Sequence, residues 1–144
     1  MAGAVTRLVL VMACALIDAP GRVLLTRRPQ GRAMAGLWEF PGGKFEPGET
    51  PESCLIRELK EELDIIVTAR DLTPLSFASH AYGPADGDFH LLMPLYVCRR
   101  WLGECRPAEA QALVWAQPAQ LRDYQMPAAD EPLIGPLQAF MAKG

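Results

Sequence analysis

Glu58, Glu61 and Glu62 stand at i, i+3 and i+4 in a stretch that reads as helix, so their carboxylates project from one side. Like charges at that spacing repel by about 0.2–0.5 kcal/mol per pair. Arg57 and Lys60 partly neutralise the face, and three glutamates alone are consistent with a solvated surface. They do not stand alone. The segment "FPGGKFEPGE" runs directly into them and ends in a further acid, Glu49. A glycine-rich backbone can approach a ligand closely. Clustered carboxylates beside loop carbonyls are the oxygen donors that a hard cation such as Mg²⁺ takes, and a bound cation removes the repulsion.

A helix over about 50–63 must carry these acids. Thr50 is placed to cap it, Pro51 suits its first position, and Glu52 favours its positive end. Leu55, Ile56, Leu59 and Leu63 recur at spacings of three and four and give it one buried face. Upstream, strands are expected over 5–17 and 21–28, joined as a hairpin through "DAPG", with "LWEF" as a short extended piece. "LSFASHAY" and "FHLLMPLYVCRR" read as a second strand pair across the turn "GPADGD", with an edge or bulge at Pro94. "ALVWA" reads as a short strand. "QPAQLRDY" and residues 130–142 read as helices, the latter interrupted by Gly135 and Pro136. Strands with helices between them predict an α+β fold, a mixed-sheet α/β/α sandwich.

The chain has 144 residues, half of them hydrophobic and 22% charged, which predicts one globular domain over 1–144. A net charge of −3 argues against binding to polymeric nucleic acid. Cys14, Cys54, Cys98 and Cys105 show no CxxC pairing and no zinc-like spacing with His80 and His90, so reduced thiols in a cytoplasmic protein are expected. The apolar run Leu8–Ile17 after Arg7 fits either a buried first strand or the core of a secretory signal; its length and flanks favour the strand. No segment is long enough to span a membrane. Without a coiled-coil pattern, a monomer is expected.

Gly43, five residues, Glu49, seven residues, then Arg57-Glu58-Leu59-Lys60-Glu61-Glu62 resembles the Nudix box, Gly-x5-Glu-x7-Arg-Glu-apolar-x-Glu-Glu-x-Gly-apolar. The match keeps every charged position and departs at Asp64, where the family has a helix-ending glycine. Aspartate tolerates positive φ better than most residues, so a small stability cost is expected there. "LLTRRP", "LWEFPGGK", "RRWLGE" and "PAADEPLI" extend the resemblance to the MutT branch over most of the chain.

The resemblance implies a Nudix fold and a Mg²⁺-dependent nucleoside triphosphate pyrophosphohydrolase, with Mn²⁺ as an alternative metal and 8-oxo-dGTP as substrate. It implies that Glu58, Glu61 and Glu62 bind metal with the Gly42 carbonyl, that Glu58 is the first choice for general base, and that Arg57 orients Glu49. Glu109 matches a remote metal-site glutamate and is equally consistent with a solvated loop acid. Arg28 and Lys44 could contact substrate, although a surface salt bridge is the commoner role for such residues. Phe40 could stack on a nucleobase or belong to the core. Asp130 matches an asparagine that reads oxidised guanine. Ionised aspartate only accepts hydrogen bonds, which also suits the exocyclic amine of cytosine. Asp130 could equally cap the last helix. His80, Tyr82 and His90 fall near the second strand pair, where a structural role is the commoner one.

Two other readings stand beside this one. A cytidine nucleotide pyrophosphohydrolase, acting on CTP or 5-methyl-dCTP, draws its support from Asp130. A non-catalytic nucleotide-binding module would normally have eroded acids, and here all three are present. A coenzyme A or dinucleotide polyphosphate hydrolase fits poorly, because the residues between "LLTRR" and "FPGG" do not follow that branch.

Overall fold

The computed structural model describes residues 7–31, 34–109 and 112–143. Seven strands form two sheets: β1 (Leu8–Leu16), β2 (Val23–Arg27), β3 (Trp38–Glu39), β4 (Gly42–Lys44), β5 (Thr73–Tyr82), β6 (Phe89–Cys98) and β7 (Ala112–Ala116). Two helices, α1 (Pro51–Leu63) and α2 (Glu131–Ala142), and three short 3₁₀ turns complete the described elements. The first sheet has the order β4-β1-β6-β5, with β1 and β6 parallel and the other pairs antiparallel. The second is antiparallel, in the order β3-β2-β7.

β1 explains its own composition. Met12, Cys14 and Leu16 pack with Leu55, Leu59 and Leu63 of α1, whereas Ala13, Ala15 and Ile17 pack with Leu133, Ile134 and Leu137 of α2. A strand buried on both faces needs a continuous apolar run rather than alternation. The expected α+β sandwich is therefore present, built on two sheets. Residues 5–6 of the expected first strand lie outside the described residues.

The hairpin expected between the first two strands does not form. The turn closes, with the Gly21 N–H donating to the Asp18 carbonyl at 3.0 Å and a single bridge between Ile17 and Val23. Beyond it the strands part, because both edges of β1 are taken by β4 and β6 while β2 pairs with β3 and β7. The pair β5–β6 forms as expected. Pro94 makes β6 neither an edge nor a bulge: β5 pairs through it at Phe77, while the β1 pairing passes from Leu10–Leu92 to Ala13–Leu95. The register shift falls instead at Pro74–Ser76 of β5. Residues 118–123 form a 3₁₀ helix, and α2 continues through Pro136, its apolar face held in the core.

α1 begins and ends as its sequence dictates. The Thr50 hydroxyl accepts from the Ser53 N–H at 3.1 Å, and the Ser53 hydroxyl accepts from the Thr50 N–H at 2.9 Å, a reciprocal capping box. Thr50→Ala should cost about 1 kcal/mol in urea unfolding. Asp64 closes the helix at φ 58°, ψ 39°, the left-handed conformation expected at the departure from the family glycine, and its carboxylate pairs with Lys60 at 2.6 Å. Cys54 is fully buried, whereas Ile56, expected on that face, is half-buried.

Candidate active site

α1 lies beside β4, and the two glycines of "PGGK" let β4 approach β1 on one side and α1 on the other. Gly42 has φ +153°, and a Cβ there would run into the Met12 backbone carbonyl. A Cβ on Gly43 would overlap the Glu58 carboxyl. The segment expected as an irregular loop is thus partly strand, with Gly42, Gly43 and Lys44 paired to Ala13, Met12 and Val11.

Arg57 is the hub of the acidic face. Its Nε and Nη2 donate to the two Glu49 oxygens at 2.7 and 3.0 Å, and its Nη1 donates to Glu58 at 2.7 Å and Glu61 at 3.3 Å. A further bond reaches the Lys44 carbonyl at 3.2 Å. The Arg57 hydrogen bonds hold the Glu49 carboxyl down at a pKa of about 2. Glu58 behaves oppositely: burial raises its pKa, Arg57 opposes the rise, and Glu61 and Glu109 add to it. Glu62 accepts from the Gly42 N–H at 3.2 Å. Burial, with the charge of Glu39 second, lifts its pKa to about 7 against the hydrogen bonds from Gly42 and Thr26.

Arg28, Phe40, Gly42, Lys44, Glu58, Glu61, Glu62, Glu109 and Asp130 all line one cleft of about 540 Å³. Arg57 and Glu49 stand behind its acidic wall. Glu109 is exposed, and its segment is fixed to the end of α1, where the Ala108 N–H donates to the Glu62 carbonyl at 3.0 Å and the Arg106 N–H to the Leu63 carbonyl at 2.9 Å. Phe40 is a core residue that also borders the cleft.

Asp130 does not cap α2 through its side chain. It is 4% exposed, and its Oδ2 accepts from the Phe40 N–H at 3.3 Å across the cleft floor. Burial, with the charge of Glu39 second, raises its pKa to about 8. The shift favours the carboxylic acid form, which can donate as well as accept. His80, Tyr82 and His90 do not line the cleft: His90 bonds Ser79 at 2.6 Å, and Tyr82 stacks on Phe89 with centroids 5.1 Å apart while its hydroxyl reaches the Ala129 backbone beside Asp130.

Glu39 and Thr26 are cleft residues that the sequence did not single out. Glu39 receives Arg28 Nη1 on both oxygens, at 2.8 and 2.9 Å, so Arg28 enters the cleft with a partner. Thr26, 1% exposed, supports Glu62 from beneath. The alternation Trp38-Glu39-Phe40, through β3 and the residue after it, was the available signal for Glu39; nothing local marked Thr26.

The NUDIX domain family matches residues 12–135, a span that contains α1, both glycines and Asp130. The chain belongs to the Nudix family. Among its relatives, a CTP pyrophosphohydrolase of Escherichia coli K12 is 40% identical over 89% of this chain and 88% of that protein. An 8-oxo-dGTP diphosphatase of the same organism is 35% identical over 81% of this chain and 85% of that protein. The solution structure of the E. coli ORF135 protein superposes with a TM-score of 0.82 at 31% identity, covering 98% of this chain and 97% of that one. The protein is a Nudix hydrolase, of a family that acts on nucleotides and generally needs divalent metal ions. Its cleft has matching chemistry: hard carboxylate oxygens on one wall, two of them with pKa values raised by burial. Among the described residues no three acids stand together at ligating distance; Arg57 bonds Glu58 and the Gly42 N–H bonds Glu62. None of the described helices is long and apolar enough to cross a membrane.

Proposed function

We propose that this Nudix hydrolase cleaves a nucleoside triphosphate to the monophosphate and pyrophosphate, with Mg²⁺ held by Glu58, Glu61, Glu62 and the Gly42 carbonyl, and with Glu109 alongside. The observation that carries this reading is one cleft with clustered acids on one wall and the buried Asp130 carboxyl on its floor. Bound there, the metal would neutralise charge on the transferring phosphoryl group. Glu58 takes the proton of the attacking water as its oxygen bonds to the β-phosphorus, and the nucleoside monophosphate leaves. Arg57 fixes Glu58 and Glu49 in place. Lys44 and the Arg28–Glu39 pair border the path of the substrate.

The lead substrate is 8-oxo-dGTP. A protonated Asp130 offers a donor for O6 and an acceptor for N7–H, a proton that unmodified guanine lacks. The same donor and acceptor also match N3 and the amine of cytosine, and the 40% identical relative named as a CTP pyrophosphohydrolase favours that second reading. Initial rates of pyrophosphate release with Mg²⁺ over 8-oxo-dGTP, dGTP, CTP and 5-methyl-dCTP, at equal low concentration, decide between them. Nucleotide binding without turnover on any of the four would overturn the enzymatic assignment.

Gly43→Ala tests the acid wall by geometry alone. The added methyl must push the Glu58 carboxyl aside, and a displacement near 1 Å is expected to lower kcat by about 10². Unchanged kcat in a folded Gly43→Ala protein would mean that Glu58 does not act from this position.

A further inference from the structure

A second hollow, of about 200 Å³, lies where the start of β5 meets the end of β6 and α2, and it shares no lining residue with the nucleotide cleft. Arg70, Arg99 and Arg100 surround it, with Asp71 as its one acid. The sheet fixes the two arms: Thr73 pairs with Val97, so Arg70 just before β5 and Arg99 just after β6 are held on the same end. Arg99 is further held by Phe140, its Cζ 5.6 Å from the ring centroid. A guanidinium stacked through its face still presents its N–H edge.

Arg22, Arg28 and Arg57 each pair with a carboxylate. Among the described residues, no salt bridge engages Arg70, Arg99 or Arg100, and Asp71 accepts from the Thr68 hydroxyl at 2.9 Å. Arg7, Arg27, Arg106 and Arg122 also have no salt bridge among the described residues; what distinguishes Arg70, Arg99 and Arg100 is that they meet around one hollow. In a chain of net charge −3, three arginines against one aspartate around one concavity form a local positive excess that an anion would relieve. The hollow is smaller than the ~300–1,000 Å³ of usual organic-ligand sites. Guanidinium forks match phosphate oxygens in pairs.

We propose that the Arg70–Arg99–Arg100 hollow is a second anion site that binds a compact phosphate oxyanion of the inorganic pyrophosphate class. The inference uses no residue of the nucleotide cleft and does not depend on which nucleotide is cleaved.

The test is a titration of the ¹⁵N-labelled full chain with sodium pyrophosphate, without divalent cations and at constant ionic strength. Saturable amide shifts are expected at residues 70–73, 97–100 and 140. In the double variant Arg99→Gln/Arg100→Gln the apparent Kd should rise at least tenfold, with nucleotide turnover and unfolding midpoint unchanged. Shifts that never saturate, that sodium chloride reproduces, that are confined to the cleft, or that survive in the double variant would each overturn the proposal. So would equal saturation by a polyglutamate peptide, which would make the hollow a contact for an acidic protein segment.

Discussion

Glu58→Gln is expected to lower kcat by about 10²–10⁴, the usual range for removing a general base, with little change in KM. Glutamine has the same shape, keeps an oxygen for the Arg57 N–H now 2.7 Å from Glu58, and fits the space that Gly43 leaves open. What it removes is the charge and the capacity to take a proton from water. The fold should not suffer, because burial already works against the ionised Glu58. The measurement is kcat and KM at saturating Mg²⁺ beside a urea unfolding curve, with Glu62→Gln as companion. Glu62 should also be severely affected, since its loss takes a carboxylate from the same wall while the Gly42 N–H retains an amide oxygen as acceptor. If Glu58→Gln kept kcat within threefold while Glu62→Gln did not, the base would be another acid of the wall, with Glu61 and Glu109 the candidates.

The acid wall was legible in the sequence because its parts are local. Helical spacing places Glu58, Glu61 and Glu62 together, Thr50 starts the helix, and Asp64 ends it in the conformation its type tolerates. The MutT-like segments carried Arg28, Phe40, Gly42, Lys44 and Asp130. Long-range pairing was not legible. A turn such as "DAPG" is compatible with a hairpin or with two strands that separate, and the choice rests on what occupies the edges of β1, eighty residues away in β6. Asp130 shows the same limit. Its position before an apolar helix reads as a cap, but the Phe40 N–H, ninety residues distant, competes for the side chain and wins. Neither the partnership of Arg28 with Glu39 nor the support of Glu62 by Thr26 has a local signature, since the first depends on the pairing of β2 with β3 and the second on the packing of β2 near α1.

The buried Asp130 should make the protein lose stability as pH rises from about 4 to about 8. Its carboxyl keeps its proton in the folded chain up to a pKa of about 8, whereas the unfolded chain releases it near the ordinary aspartate value of about 3.9. Below both values the two states bind the proton equally. Between them the folded state binds more, so the stabilisation is fully present at low pH and lost as pH climbs through 8, at up to about 1.4 kcal/mol per unit. Asp130→Asn keeps an acceptor for the Phe40 N–H and has no proton to lose. The difference in unfolding free energy between wild type and this variant should therefore shift by a few kcal/mol from pH 5 to pH 8 in favour of the variant. Glu62, raised to about 7 by burial, contributes a slope of the same sign to both proteins and cancels in that difference. The chemistry should follow the same titration. Above pH 8 a wild-type Asp130 only accepts hydrogen bonds, so KM for the preferred nucleotide should rise there more steeply than in Asp130→Asn, whose amide donates and accepts at every pH. A parallel pH dependence of stability and KM in the two proteins would show that Asp130 is ionised at neutral pH, and would leave base reading to other groups in the cleft.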